Sequence, residues 1–335
     1  GYIPRQPNVK SRQRYRCEGG IACEPRSARR LVGHDAAERE LWIGVVPGLS
    51  EWQLKERVKL WFQAEAKRVF TERLDHYAPR LGVQLWSVKD EIKQDFEATL
   101  GKIARLGFQG VEFAGEFGPY KDNPGGLKAF LDKNKLQCAG AHMHFDALAD
   151  AKFEATTTFY KTLGCSNLVI SMDERGKTTE GSTEMSKQLT VLSGKLAGKG
   201  MRIGYHNHAE EFAGAVGSTP WDVIAKNTPK ASIMQQDVGW TTYAGKDPVA
   251  YVQAYPGRTT TTHFKAKLAA GAAGTPIIGQ DKTDWAGLTR AVRQVGGTDW
   301  IIIEQEEYPN GMGQLETVAA SLKGLQAVLA KLPKQ

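Results

Sequence analysis

The chain has 335 residues, of which 41% are hydrophobic and 24% are charged, and this composition excludes a disordered or fibrous protein. No apolar run reaches the roughly 20 residues that cross a bilayer, and the N-terminus lacks the apolar core and cleavage site of a secretory signal. We therefore expect a cytoplasmic protein with no membrane partner. The net charge of +7 arises mainly in residues 1–80, which hold 16 Lys/Arg against 10 Asp/Glu.

The N-terminal part of the chain divides into two segments. Residues 1–40 are rich in Arg, Gly and Pro and lack periodicity, which predicts an irregular basic arm. Residues 51–78 carry apolar side chains at helical spacing and predict one long amphipathic helix. The apolar face of this helix needs a partner, either the rest of the chain or another subunit of a homo-oligomer. We therefore predict an arm and helix over residues 1–80 and a second domain over residues 81–335.

From Leu81 onward, short apolar runs alternate with helical patterns. This alternation predicts βαβ units and a parallel sheet, and eight units in about 250 residues match the (β/α)8, or TIM, barrel. A doubly wound open sheet is the alternative, but no Gly-rich phosphate-binding turn follows the first run. We therefore predict an α/β fold, a TIM barrel preceded by a basic arm and an amphipathic helix. The predicted strands are Gly82–Trp86, Phe108–Phe113, Gln137–His142, Asn167–Ser171, Arg202–His206, Ser232–Asp237, Thr260–Phe264 and Trp300–Glu304.

The four cysteines form no CxxC pair. Cys138 and Cys165 lie in apolar, strand-like contexts and are predicted to be small core residues. Cys17 and Cys23 could pair if oxidised, but the spacing predicts no disulfide framework. A reducing compartment is the simpler expectation.

Pairs of polar residues end five of the predicted strands. The two members of each pair are two residues apart and therefore share a face of the strand. Both can point into the barrel mouth, where TIM barrels carry their catalytic groups. Each residue alone has a structural explanation, such as a buried hydrogen bond or ion pair, but so many acids and imidazoles in one mouth are costly unless they are paired or bind a metal. The pairs are His142/His144, His206/His208, Gln235/Asp237, His263/Lys265 and Glu304/Glu306.

The donor types indicate which ion such a site would hold. Imidazole and carboxylate donors together suit a divalent ion such as Mn, Co, Mg or Zn, and the lack of nearby thiolates disfavours a structural zinc site. The ion could hold two neighbouring sugar oxygens and stabilise an enediolate, while a carboxylate or imidazole relays the proton. Lys265 could neutralise the developing oxyanion charge.

Residues 82–330 resemble the xylose-isomerase-like barrels, the sugar phosphate isomerase/epimerase superfamily that also contains endonuclease IV. The resemblance covers nearly all of the predicted barrel, and its motifs occur in the family order. The matching segments are GVQLWSVKDE, GFQGVEFAG, GYHNHAEEF, DVGWTTYAGKDP, HFKAK, TDW and IIIEQEEYP.

The resemblance implies one metal bound at the ends of the fifth to eighth strands. Asp237, His263 and Glu304 fall on ligand positions of the family. The fifth-strand position is commonly Glu in characterised epimerases and is His206 here, so the usual two-carboxylate proton relay keeps only Glu304. We expect His206 to bind the metal or to act as acid/base, which makes Glu304, His206 and Lys265 the predicted catalytic residues.

Other residues near the strand ends are expected to contact the substrate. Trp86 and Trp240 could stack on a sugar face, and Glu211 could support His206 or touch the substrate. Ala266 stands where relatives often have Asp, which would weaken a contact behind the metal ligands. The predicted substrate-binding residues are His142, His208, Glu112, Trp86, Trp240, Glu211 and Glu306.

These residues predict a divalent-metal-dependent isomerase or epimerase of a small sugar, keto-sugar or cyclitol, acting by proton abstraction next to a carbonyl. A dehydratase or lyase on the same substrates begins with the same step. An endonuclease IV-like DNA-repair nuclease would need a basic surface around the mouth, whereas the predicted barrel is nearly neutral, which argues against a nucleic-acid partner. A degenerate, non-catalytic barrel is the remaining alternative and would take up no metal.

Residues 51–83 carry a separate resemblance. They are similar to the helix that precedes the catalytic part of a family of HExxH metal-dependent hydrolases. No HExxH occurs in the chain. The segment would then be a fragment joined near Gly82, and it implies no activity of its own.

Overall fold

The computed structural model divides the chain into two compact units, Gly1–Tyr77 together with Gln335, and Ala78–Lys334. In the described part of the chain, no helix is long and apolar enough to cross a membrane. The residues that the structure describes are 15–17, 21–24, 32–35, 40–44, 50, 52, 53, 55, 56, 59, 60, 63, 79–269 and 271–332.

The described part of the first unit contains a small sheet where the composition predicted an irregular arm. Its strands are ordered β1-β2-β4-β3, with β1 antiparallel to β2 and β2 parallel to β4. Aromatic and β-branched residues favour strands, and the Gly-Gly pair just before β2 is a hairpin signal that the Arg-rich composition outweighed. The strands are β1 (Tyr15–Cys17), β2 (Ile21–Glu24), β3 (Val32–Asp35) and β4 (Glu40–Gly44).

The helix predicted over 51–78 lies mostly outside the described residues. Those described as helical are 52, 53, 55, 56, 59, 60 and 63.

The second unit is a barrel of eight parallel strands, which confirms the predicted fold. The strand order is β10-β9-β8-β7-β6-β5-β12-β11, and a parallel bridge between Asp237 and His263 joins its two ends. The N–H of His263 donates to the carbonyl of Gln236 at 2.9 Å across this seam. The strands are β5 (Arg80–Gln84), β6 (Gly110–Phe113), β7 (Gln137–Met143), β8 (Asn167–Ile170), β9 (Arg202–His206), β10 (Ile233–Gln235), β11 (Thr261–Phe264) and β12 (Trp300–Ile303).

Every strand of the barrel is followed by at least one helix, as the alternation predicted. The helices bury their apolar stripes against the barrel; in α2, for example, Phe96, Leu100 and Ile103 are buried. Trp86 was predicted at the end of the first strand but lies in a 3-10 turn, Leu85–Val88, that follows β5. The helices are α1 (Lys89–Gln94), α2 (Phe96–Leu106), α3 (Pro124–Lys133), α4 (Asp150–Thr162), α5 (Thr179–Ala197), α6 (Pro220–Asn227), α7 (Val238–Tyr243), α8 (Pro248–Ala254), α9 (Trp285–Ala291) and α10 (Gln314–Lys331).

The barrel interior changes from apolar to polar along its axis. Near the N-terminal ends of the strands, Trp300 and Ile302 pack with Ala139 in a small core of their own. Small residues make room for them: a Cβ on Gly110 would lie 2.6 Å from the Trp300 indole. Glu304 follows Ile302 on the same face of the chain, at the opposite end of the barrel. The predicted ligand Glu304 therefore lies at the C-terminal mouth, above this apolar layer.

The buried cysteines Cys138 and Cys165 are joined by a disulfide, with their Cα atoms 5.0 Å apart. Cys138 lies in β7 and Cys165 two residues before β8, so the bridge joins neighbouring strands at their N-terminal ends. Both are core residues, as predicted, but they are not free thiols.

The register of β9 against β10 can be tested at Gly204. A Cβ on this buried residue would lie 2.0 Å from the carbonyl oxygen of Ile233, so Gly204→Ala must separate the two strands. We expect a loss of about 3 kcal/mol in the free energy of unfolding, measured by urea denaturation. The matched control is Gly194→Ala in α5, where the added Cβ meets nothing within 4 Å and a gain of about 1 kcal/mol is expected. Equal stability of the two variants would contradict the register.

Candidate metal and active site

The predicted metal ligands lie together at the C-terminal mouth of the barrel. One donor atom from each of His206, Asp237, His263 and Glu304 lies within 4.8 Å of the others, and all four residues are buried. Each comes from a different strand end. The four ends lie close together because β9 and β10 adjoin β11 and β12 across the closing seam of the barrel.

Local structure fixes the carboxylate of Asp237. Its backbone N–H donates to the side-chain oxygen of Asn207 at 2.9 Å, and its Oδ1 caps helix α7 by accepting from the N–H of Trp240 at 2.8 Å. The other oxygen, Oδ2, is buried and accepts no hydrogen bond. The nearest cation is the ammonium of Lys265, with Nζ at 3.1 Å.

A divalent ion would satisfy this oxygen. A buried carboxylate oxygen without a hydrogen bond is costly, and burial raises the pKa of Asp237 to about 6 even though Lys265 opposes the shift. Metal coordination at Oδ2 would remove that cost and keep the carboxylate ionised. The donor set of two imidazoles and two carboxylates suits Mn, Co, Mg or Zn, so the residues fit the predicted ion.

The side chain of Gln235 determines which nitrogen of His206 is free. Its amide nitrogen donates to Glu112 Oε1 at 2.7 Å and to Thr261 Oγ1 at 2.8 Å. An ionised carboxylate can only accept, so the amide nitrogen must face Glu112. The amide oxygen then lies 2.6 Å from His142 Nε2 and 3.1 Å from His206 Nδ1. Because this oxygen can only accept, His142 Nε2 and His206 Nδ1 each carry a proton.

His206 is therefore left with its lone pair on Nε2, which faces Asp237 Oδ2 at 3.9 Å. Burial, with the charges of His263 and His142, lowers the pKa of His206 well below its usual value. A neutral imidazole with a free Nε2 can bind a metal or accept a proton. The ring of His208 packs against that of His206 at 5.2 Å but is not part of the donor cluster.

His263 is held between two carboxylates. Its Nδ1 lies 2.9 Å from Glu304 Oε2 and its Nε2 lies 2.5 Å from Glu112 Oε2. Although burial opposes a positive charge, Glu112 and Glu304 raise the pKa of His263 to about 10. A metal at Nδ1 would replace a proton there, while Glu112 would keep the hydrogen bond from Nε2, which is the usual arrangement behind a metal-binding histidine.

Lys265 is a buried cation among three carboxylates. Its Nζ lies 3.1 Å from Asp237 Oδ2, 2.9 Å from Glu304 Oε2 and 2.8 Å from Glu306 Oε2. Burial works against its charge, but these carboxylates raise the pKa of Lys265. Since a metal would take up the oxygens of Asp237 and Glu304, Glu306 is the partner that would keep the ammonium beside the ion.

A cavity of about 530 Å³ opens above this cluster. Four of the predicted substrate-binding residues line it, and so do the three predicted catalytic residues. These seven residues are Trp86, His142, His208, Glu306, His206, Lys265 and Glu304.

The other three predicted substrate-binding residues do not line the cavity. Glu112 is fully buried and holds His263 and Gln235 from below. Glu211 is also buried; it accepts from the hydroxyl of Tyr205 and from the backbone N–H of His208, each at 2.8 Å. Trp240 contacts cations instead of the cavity, with its ring 5.2 Å from Lys265 Nζ and 4.3 Å from Lys267 Nζ.

The sequence interpretation missed the polar layer beneath the cluster. Gln84 donates to Glu112 Oε2 at 2.8 Å, and Gln235 joins Glu112 to His206. The available signal was a polar amide inside an otherwise apolar, buried strand. Such a residue needs a buried partner, but the sequence does not show which one.

The ligand assignment predicts the effect of single substitutions on metal uptake. Asp237→Asn and Glu304→Gln should each weaken Mn²⁺ binding by about 100-fold or more, because each removes an anionic donor from a buried cluster. Isothermal titration calorimetry measures the affinity, and circular dichroism checks that the fold is kept. The control is Glu307→Gln, because Glu307 pairs with Lys267 at 2.7 Å instead of facing the cluster. Unchanged affinity in both cluster variants would contradict the assignment.

Comparisons with known proteins agree with this architecture. The model of the xylose isomerase-like TIM barrel family matches residues 100–328. An inosose dehydratase from Lacticaseibacillus casei is 23% identical over 275 residues, covering 70% of this chain and 90% of the relative.

Solved structures show the same fold at low identity. A sugar phosphate isomerase/epimerase from Parabacteroides distasonis ATCC 8503 has a TM-score of 0.63 at 21% identity, covering 75% of this chain and 94% of that one. A D-psicose 3-epimerase from Clostridium cellulolyticum H10 has a TM-score of 0.53 at 11% identity, covering 75% and 97%. The chain belongs to the xylose isomerase-like TIM barrel family.

Proposed function

We propose that the chain is a divalent-metal-dependent isomerase or epimerase of a small sugar, keto-sugar or cyclitol, which removes a proton next to a carbonyl. The observation that carries the proposal is the buried cluster of two imidazoles and two carboxylates at the floor of a cavity. The cluster lies at the C-terminal ends of the barrel strands, where TIM-barrel enzymes carry their active sites. Family membership supports an enzyme of this superfamily.

The ion would be held by His206 Nε2, Asp237 Oδ2, His263 Nδ1 and Glu304. When bound, a divalent ion polarises a carbonyl and a neighbouring hydroxyl oxygen of the substrate. The hydrogen bond from His206 Nδ1 to Gln235 and that from His263 Nε2 to Glu112 fix the two imidazoles in the orientation that this requires.

The proton transfer is assigned to Glu304. Although burial opposes its charge, Lys265 and His263 hold the pKa of Glu304 well below its usual value, so the carboxylate is ionised and lines the cavity. It can take a proton from the carbon beside the carbonyl, leaving the electron pair in an enediolate. The ammonium of Lys265 can donate a hydrogen bond to the oxygen that gains charge. Return of the proton to the neighbouring carbon, with transfer of the hydroxyl proton from one oxygen to the other, completes isomerisation. Epimerisation needs a proton delivered to the opposite face by a second group.

A dehydratase is the second candidate, and the asymmetry of the site favours it. An epimerase relay uses a carboxylate on each side of the substrate, whereas His206 stands in the second position here. Loss of water needs one base for the carbon-bound proton and one acid for the departing hydroxyl. His142 and His208 line the cavity and could serve as that acid. The inosose dehydratase relative acts, by its name, on an inosose.

A nuclease is less compatible with the mouth, because Asp146, Glu304 and Glu306 line the cavity with Lys265 as the one lysine among the described residues there, whereas a phosphate backbone needs a basic surface. We therefore propose a small carbohydrate as the partner and no nucleic acid. Homo-oligomerisation through the helix predicted over 51–78 stays a prediction.

Proton exchange with solvent separates the two candidates. The Mn²⁺-loaded protein is incubated in D₂O with keto-inositols and ketohexoses and followed by NMR. Deuterium uptake beside the carbonyl with a new epimer or isomer supports the first candidate, and uptake with loss of water supports the second. Glu304→Gln should lower either rate by about 1,000-fold, whereas Glu307→Gln should not. Absence of exchange with every substrate, or full exchange by Glu304→Gln, would contradict the proposal.

A further inference from the structure

The cavity above the cluster has two chemically different sides. The side built by β9 to β12 carries the imidazoles, carboxylates and Lys265 described above. The side built by the ends of β6 to β8 and the turn after β5 is mainly apolar. Its apolar side chains are Trp86, Ala114, Met143, Ala147, Tyr160 and Met172.

Two of these side chains expose large apolar surfaces at the cavity rim. Trp86 is 44% exposed and Met172 is 45% exposed. The ammonium of Lys89 lies 4.1 Å from the centroid of the Trp86 ring and stabilises the indole in this position. Exposed apolar residues that share one cavity, instead of being scattered singly, are typical of a binding surface.

The polar side chains on this side of the cavity are His142, His144, Asp146 and Ser171, and three of them are engaged with the protein. The carboxylate of Asp146 pairs with Lys152 at 3.0 Å, and the hydroxyl of Ser171 donates to the carbonyl of Met143 at 3.5 Å. A sugar ring placed here would compete with these protein contacts for His142, Asp146 and Ser171, so some of its hydroxyls would lose water without a new partner, which is unfavourable. An apolar group placed here would instead remove the exposed faces of Trp86 and Met172 from water.

The size of the cavity agrees with a ligand larger than one sugar ring. Its volume of about 530 Å³ falls in the range of about 300–1,000 Å³ typical of clefts that bury drug-sized ligands. A single ring whose oxygens face the cluster would leave the apolar side unfilled.

We infer that the substrate is a glycoside or a substituted cyclitol whose ring carries a ketone and bears an apolar or aromatic group beyond the ring. The ring oxygens face the cluster, and the substituent lies against Met143, Met172 and Trp86. The placement of the ring rests on the proposed function.

The test compares phenyl and methyl glycosides that share one sugar. Binding of the phenyl and methyl β-glycosides of glucose, galactose and xylose to the Mn²⁺-loaded full chain is measured by titration calorimetry. In at least one pair, the phenyl glycoside should bind more tightly by about tenfold or more. Met172→Gln, which keeps the side-chain length but makes it polar, should remove most of this preference. The matched control is Val191→Gln, because Val191 is 59% exposed on α5 and does not line the cavity.

Equal affinity within every pair, or no binding of any glycoside, would overturn the inference. So would a phenyl preference that Met172→Gln leaves intact. If that variant instead changes the molar mass in light scattering and leaves the preference unchanged, the exposed side chains belong to an interface with a second copy, and the inference also fails. Failure of the proposed function is distinguishable, because solvent exchange would then be absent while the phenyl preference remains.

Discussion

The candidate site depends on one buried carboxylate, that of Glu112, which lies inside the barrel beneath the cluster. It accepts hydrogen bonds from Gln84, Gln235 and His263, each from a different strand. Burial of this charge is costly, but His142 and His263, together with these hydrogen bonds, lower the pKa of Glu112 and keep it ionised. An ionised carboxylate here orients one predicted metal ligand directly and a second through Gln235. The geometry of the mouth therefore follows from an interaction that does not touch the substrate.

The same network explains why a histidine can replace a carboxylate on β9. His206 is neutral and has only one free nitrogen, Nε2, because its Nδ1 carries the proton and donates a hydrogen bond to Gln235. The site thus keeps a donor at the fifth-strand position but loses a strong base there. Glu304 remains the ionised carboxylate that lines the cavity, with Lys265 beside it. This asymmetry connects the local structure to the choice between epimerisation, which uses two similar bases, and dehydration, which uses one base and one acid.

Much of the barrel could be predicted from the sequence, because strand alternation and strand-end polarity are local signals. The predicted and observed bounds of β9 coincide at Arg202–His206, and the four predicted ligands do converge. The role of Glu112 could not be predicted, since its partner His263 is 151 residues away. Two other features could not be predicted, one because it depends on distant residues and one because the composition favoured a different structure. The disulfide needs the pairing of two neighbouring strands, and the strands within residues 1–44 were hidden by an Arg- and Gly-rich composition.

The central claim is that His206, Asp237, His263 and Glu304 together hold one divalent ion. Anomalous X-ray diffraction from a crystal of the full chain grown with Zn²⁺ locates such an ion directly. We expect one strong peak within about 2.2 Å of His206 Nε2, His263 Nδ1 and the two carboxylates, with Lys265 moved toward Glu306. No peak at the barrel mouth, or a peak bound through His208 instead of His206, would contradict it.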